Sequence, residues 1–194
     1  MKTAIAFLAL LLAGSSGCAA RGSRSFDSHR LASESGWVAT TEVPLVRQRT
    51  ETDCGAAALG MVLAHWKAES LELAAVPEGR MKAGDMRDLA KTHGLQAFLV
   101  SSSVEEIEKQ LAKNRPLIVG LVKPRLMGAA LTHYEVVVAF HPLTQRVVTL
   151  DPAHGWRETS VEKFLLEWDP TKRLALITFP PSIPLLSDTK GTTP

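Results

Sequence analysis

Much that would direct a first reading is missing from these 194 residues. No glycine-rich phosphate loop occurs and no internal repeat, which sets aside nucleotide binding by such a loop and solenoid architectures. Charge of neither sign dominates: 22 Lys and Arg stand against 20 Asp and Glu, a formal balance of +2. With no basic stripe and no interleaving of aromatic and basic residues, nucleic acid is not an expected partner. No apolar run reaches the length of a membrane span; the longest, Ala4 to Ala13, is too short for one. Cysteine is scarce as well, with only Cys18 and Cys54.

What is present begins with an export pattern. Lys2 precedes the short apolar run, and Gly14-Ser15-Ser16-Gly17 leads into Cys18. A basic start, a short apolar core and small residues describe a cleaved signal. Cys18 directly after small residues fits a bacterial lipobox, in which it would become the acylated first residue. Ser15 stands where a Leu is usual, so a plain secretory signal stays open as the alternative. The expected organisation is a signal over 1–17, a flexible linker over 18–36 rich in Ser, Gly and Arg, one domain over 37–180, and a disordered tail over 181–194. Ala19 after Cys18, rather than Asp, favours an outer-membrane site facing the periplasm. A thioether at Cys18 would leave Cys54 as the single thiol, unable to form an internal disulfide and in need of an explanation.

Periodicity places that thiol. Ala58, Met61, Val62 and His65 recur at helical spacing, so a helix starts at Cys54, apolar nearly all round, with Asp53 at the N-cap position. Further helices are expected over 83–93, ended by Gly94, from the Ser103–Glu106 capping box onward, and over 161–168. Strands are expected over 95–100, 116–122, 133–140, 146–151 and 173–179. Helices first and strands afterwards predict an α+β domain with antiparallel pairing.

Four residues then assume chemical roles. A helix N-terminus favours the thiolate of Cys54, and Gly55 removes bulk beside the sulfur. Gln48, six residues upstream, can aim its amide at a developing oxyanion, with the Cys54 N–H as second donor. His133 opens one strand and Asp151 ends the next, so a hairpin brings them together as base and orienting carboxylate.

The stretch from Gln48 to Thr52-Asp53-Cys54-Gly55, then His133-Tyr134, then Asp151-Pro152, resembles the bacteriocin-processing, or double-glycine, peptidase family of papain-like fold. The resemblance spans 43 to about 179. It implies a papain-like α+β fold and a cysteine peptidase acting on a peptide or protein substrate without metal or organic cofactor. It assigns Cys54 as nucleophile, His133 as base, Asp151 as third member and Gln48 as oxyanion donor. Well-known members are cytosolic domains of ATP-driven peptide exporters that cut after Gly-Gly. These 194 residues hold no transporter segments, so the chemistry transfers better than the substrate.

Three other readings remain. One is a peptide-binding module that does not cleave, against which the retained Cys54 speaks. Another is an NlpC-type cell-wall amidase, whose usual signature follows the Cys with Ser-Gly. The third is a zinc site among Cys54, His133, His141, Asp151 and His154, which lack short ligand spacing. The apolar segment Lys123–Leu131 is a candidate specificity loop, Trp156 a candidate shield for the triad, and His65 a core residue.

Overall fold

The computed structural model describes residues 22–68, 80–123 and 131–181. An antiparallel sheet of eight strands forms the centre, in the order β1-β7-β6-β5-β4-β8-β3, with β2 alongside β5. The strands are β1 (Arg24–Ser25), β2 (Val38–Ala39), β3 (Gln96–Ser101), β4 (Leu117–Lys123), β5 (Leu131–His141), β6 (Arg146–Asp151), β7 (Gly155–Ser160) and β8 (Leu174–Phe179). β5 is central and carries Val136-Val137-Val138-Ala139-Phe140, all buried, as a strand covered on both faces must.

Helices cover the two faces. α2 (Cys54–His65) and α3 (Ala83–Thr92) pack on one side, where Leu59, Met61, Val62 and Met86 meet Val136, Val138 and Leu150. On the other, α4 (Val104–Ala112) and α5 (Val161–Trp168) enclose Ile107, Leu111, Val119, Leu121, Val137, Phe164 and Trp168. Each large side chain fully buried there contributes about 1.5–3 kcal/mol. Trp168 also donates its indole N–H to Leu174 O at 2.9 Å, so no polar atom is stranded. Among the described residues no helix is long and apolar enough to cross a membrane.

α2 is the buried helix that its pattern predicts, with nine of its residues inside. The run Gly55-Ala56-Ala57-Ala58 lets it approach the sheet closely. A Cβ on Gly55 would stand 3.1 Å from Met81 Cβ and 3.4 Å from Tyr134 Cδ2. The space beside Gly55 is thus filled by the protein's own side chains, a correction to its expected role of clearing room for a substrate. Asp53 occupies the N-cap position without a side-chain cap bond; its Oδ2 lies 3.4 Å from Arg49 Nε. Ser103 does cap α4, accepting from Glu106 N at 3.1 Å. Gly94, at φ +83°, turns the chain out of α3, where a side chain would be strained.

The expected flexible linker is corrected over 22–36. β1 pairs with β7, Phe26 is buried, and α1 (Arg30–Ser33) follows. The reason is electrostatic. Glu158 on β7 is almost wholly buried, and its carboxylate receives Arg24 at 2.7 Å, Arg30 at 3.3 Å and Arg146 at 2.6 Å. A buried carboxylate requires such partners, and two of the three come from the N-terminal segment. Trp37, Phe26 and Trp156 add ring contacts along the same seam. The signal, Cys18, residues 124–130 of the expected specificity loop and the tail beyond 181 lie outside the described residues.

Candidate active site

Three elements converge at one end of the sheet. Cys54 is the first residue of α2, His133 lies near the start of β5 and Asp151 ends β6. The β5–β6 ladder shifts register between Val137 and Ala139, beyond His133 along β5. His133 Nε2 lies 2.7 Å from Asp151 Oδ1. That leaves Nδ1 free to serve the Cys54 thiol, whose ionisation the ring favours.

The electrostatics separate charge across this pair. Burial pushes the Cys54 thiol up, but the His133 hydrogen bond and charge, with the Tyr134 and Gly55 backbone N–H groups, bring it below its usual value. Burial likewise opposes the imidazolium, yet hydrogen bonds with Asp151 and Cys54 and the charges of Glu135 and Asp151 raise His133 to about 10. Asp151 is held far below the usual carboxylate range: burial opposes this, and the His133 and His154 hydrogen bonds and the Ala153 N–H outweigh it. Both shifts favour the thiolate–imidazolium form of the pair over the neutral one.

Asp151 is more heavily engaged than a two-residue pairing with His133 requires. Oδ1 also accepts from Ala153 N at 2.8 Å, and Oδ2 pairs with His154 Nδ1 at 2.7 Å. The sequence offers His154 only as a zinc candidate; the spacing Asp151-Pro-Ala-His154 is the signal that could have placed it here. Glu135, two residues beyond His133, carries no such signal and is absent from the residues expected in the site.

Gln48 lies beside this group through its backbone. Its N–H donates to Pro152 O at 3.1 Å, and Arg47 Nη1 donates to Ala153 O at 2.8 Å. The Gln48 side chain donates from Nε2 to Thr50 O at 2.9 Å, while its Oε1 is buried without a partner. An open hollow of ≈ 610 Å³ adjoins it, walled by Arg47, Thr50, Glu51, Pro152 and Ala153. Cys54 itself is 7% exposed and forms no part of that wall.

The other candidates fall elsewhere. His141 is buried against Trp37 and bonds Ser35 O at 3.1 Å, so the five proposed zinc ligands do not gather. His133, Glu135 and Asp151 do offer donor atoms within 4.8 Å of one another. A cation bound there would have to displace the Lys123 ammonium from Glu135 and the His133 ring from Asp151. Lys123, expected in a loop, ends β4 paired with Leu131. Trp156 packs its ring against Phe26. His65 is half-buried, with Nε2 3.0 Å from Asn114 O.

A helix with a cysteine at its N-terminus, packed on an antiparallel sheet that supplies a histidine and an aspartate, defines the papain-like class of fold. The Peptidase_C39 like family matches residues 40–176, and the chain belongs to that family. Solved structures agree on the fold. The peptidase domain of Streptococcus ComA, a bi-functional ABC transporter involved in a quorum sensing pathway, superposes with a TM-score of 0.58 at 23% identity, covering 72% of this chain and 99% of that one. A double glycine motif protease from an AMS/PCAT transporter, solved with its leader peptide, gives 0.55 at 24% identity, covering 73% and 94%. A C39-like peptidase from Bacillus anthracis gives 0.59 at 16% identity, covering 74% and 97%. No curated protein sequence matches the chain.

Proposed function

We propose that the protein is a cysteine peptidase that cleaves peptide bonds through a Cys54 acyl-enzyme. The observation that carries this is the meeting of Cys54, His133 and Asp151: the thiol stands at the N-terminus of a buried helix, its burial is outweighed by the His133 ring, and His133 Nε2 lies 2.7 Å from Asp151 Oδ1. The Cys54 thiolate adds to the scissile carbonyl carbon, and the charge moves to the carbonyl oxygen. Gln48 Nε2, which has a second N–H beyond the one given to Thr50, and the Cys54 N–H are the donors for that oxyanion. Collapse breaks the C–N bond, and His133 gives its proton to the leaving amine. Water then attacks the thioester as His133 takes a proton, releasing the acid and restoring the pair. Asp151 keeps the ring oriented throughout and supports its charge whenever the ring carries the proton.

A peptide or protein is the substrate this chemistry takes. Cleavage after small residues such as Gly-Gly is the starting expectation, supported by likeness to a double glycine motif protease. A lipid anchor at Cys18 and an outer-membrane site facing the periplasm are part of the proposal and rest on the sequence pattern alone. The second reading, a peptide-holding module, is favoured by one observation: Cys54 is buried and stands outside the open hollow.

The test is cleavage of a diverse peptide library that includes Gly-Gly sequences, with residues 22–36 retained in the protein and Cys54→Ala beside it. Mass spectrometry is expected to find products with the wild type alone. Binding of peptides without products, together with a thiol no more reactive than free cysteine near pH 7, would establish the holding module instead.

A further inference from the structure

Behind His133, on the side away from α2, lies a group of buried charges that the triad does not require. Glu135 follows His133 by two residues on β5, so both side chains leave the same face of the strand. That face is apolar elsewhere, with Val137, Val119, Leu121, Phe164 and Trp168. A glutamate 3% exposed at its edge is therefore out of keeping with the pattern. Its two oxygens are both fixed: Oε1 lies 2.7 Å from Lys123 Nζ on β4, and Oε2 accepts from Thr149 Oγ1 on β6 at 2.5 Å. Lys123 is held in turn by Glu167 of α5 at 2.5 Å. β4 and β6 thus hold one carboxylate carried by β5, with α5 behind Lys123, and one of its oxygens lies within 4.8 Å of both a His133 ring nitrogen and Asp151.

We propose that Glu135 is a positioning residue for the peptidase reaction, a second buried carboxylate that supports the His133 imidazolium from inside the fold. The proposal rests on the reading of Cys54 and His133 as a reactive pair. The charges facing the ring include Cys54 from α2, Asp151 from β6, Glu135 from its own strand, Lys123 from β4 and Glu167 from α5. His154 acts through Asp151, and Tyr134 adjoins on β5. Lys123 offsets one carboxylate of its cluster and not both. Because Lys123 is shared with Glu167 it offsets Glu135 only in part, and the remaining negative potential acts beside the ring where burial weakens screening. Asp151 alone would orient His133; with Glu135, the ring keeps its proton while the thiolate is consumed in the acylation step, until the leaving amine takes it.

NMR titration of the His133 ring in otherwise intact protein tests this, with iodoacetamide alkylation of Cys54 as a parallel record of thiolate formation. Glu135→Gln keeps the shape of the side chain and removes its charge. The His133 midpoint is expected to fall by about one pH unit, the size expected for a partly offset charge some 5 Å away. Glu167→Gln removes a charge from the same cluster without touching the ring, and is expected to move the midpoint by much less. A midpoint unmoved in Glu135→Gln, or moved as far by Glu167→Gln, overturns the proposal. Should Glu135→Gln fold poorly, Lys123→Met removes the cation and leaves Glu135 in place; the midpoint is then expected at or above that of the wild type, and a fall overturns the proposal. A wild-type Cys54 that alkylates like a free thiol would instead remove the peptidase reading, a result separable from the others.

Discussion

Replacing Asp151 by Asn removes one charge and keeps the volume of a side chain only 3% exposed. The 2.7 Å bond to His133 Nε2 becomes a neutral amide contact, and the partner of His154 Nδ1 changes with it. His133 rises from 6.5 to about 10 against the opposition of burial, through hydrogen bonds with Asp151 and Cys54 and the charges of Glu135 and Asp151. Asp151 supplies the largest of the raising contributions and one more, so its loss is set at that of a buried charge-assisted hydrogen bond, about 2 pH units or 2.7 kcal/mol. His133 would still lie above the usual histidine range, because Cys54 and Glu135 remain. The structure thus argues for a loss of tens-fold in activity near pH 7, far smaller than about 10⁴ for the same change in a serine triad, whose base rests neutral. Alkylation by iodoacetate, an anion drawn by the imidazolium, reads this without any peptide substrate. Its rate rises as the thiolate forms and falls as His133 loses its proton. Asp151→Asn is expected to bring in the alkaline limb by about 2 pH units and leave the acid limb nearly in place. An alkaline limb unchanged in this variant would refute the assignment of Asp151 as support for the ring.

Three more outcomes follow from the geometry. Gln48→Ala is expected to lower kcat about 10²-fold with little change in KM, measured on whichever peptide is cut best, because its N–H acts on the oxyanion and not on the bound substrate. Gly155→Ala is expected to lower stability by about 1–3 kcal/mol, read by urea unfolding, since φ is +83° and the added Cβ would stand 2.9 Å from Arg47 Nη2. Stability is expected to fall as pH drops below about 4.5: Asp151 and Glu158 have lowered folded values, so their contribution is present above the unfolded carboxylate range and lost on protonation. A urea midpoint flat from pH 5 to 3 would contradict this.

Elements with strong local signals are legible in the sequence alone. α2 announces itself by an unbroken apolar run after Cys54, α4 by Ser103 and Glu106, and β5 by consecutive valines. What escapes depends on partners distant in sequence. β7 reads as Gly-Trp-Arg-Glu-Thr-Ser, with no apolar alternation, because Glu158 is buried by arginines and not by packing. β1 is two residues long and exists through that same glutamate. In the site, Cys54, His133, Asp151 and Gln48 can be singled out as residue types at suggestive positions. Glu135 cannot, since only the meeting of β4, β6 and α5 shows that a lone acidic residue in a valine strand has its own cation and donor.

The folding of residues 22–36 onto β7 changes how far the body could stray from an anchor at Cys18, as proposed. A free linker to residue 36 would allow excursions of about 60 Å, whereas the four peptide units from Cys18 to Gly22 span about 14 Å at most. Gly22 meets Thr159 and Lys163, at the end of β7 remote from Gly155 and Asp151. With that proposed anchor the attachment would be short, and it would lie at the end of β7 remote from Asp151.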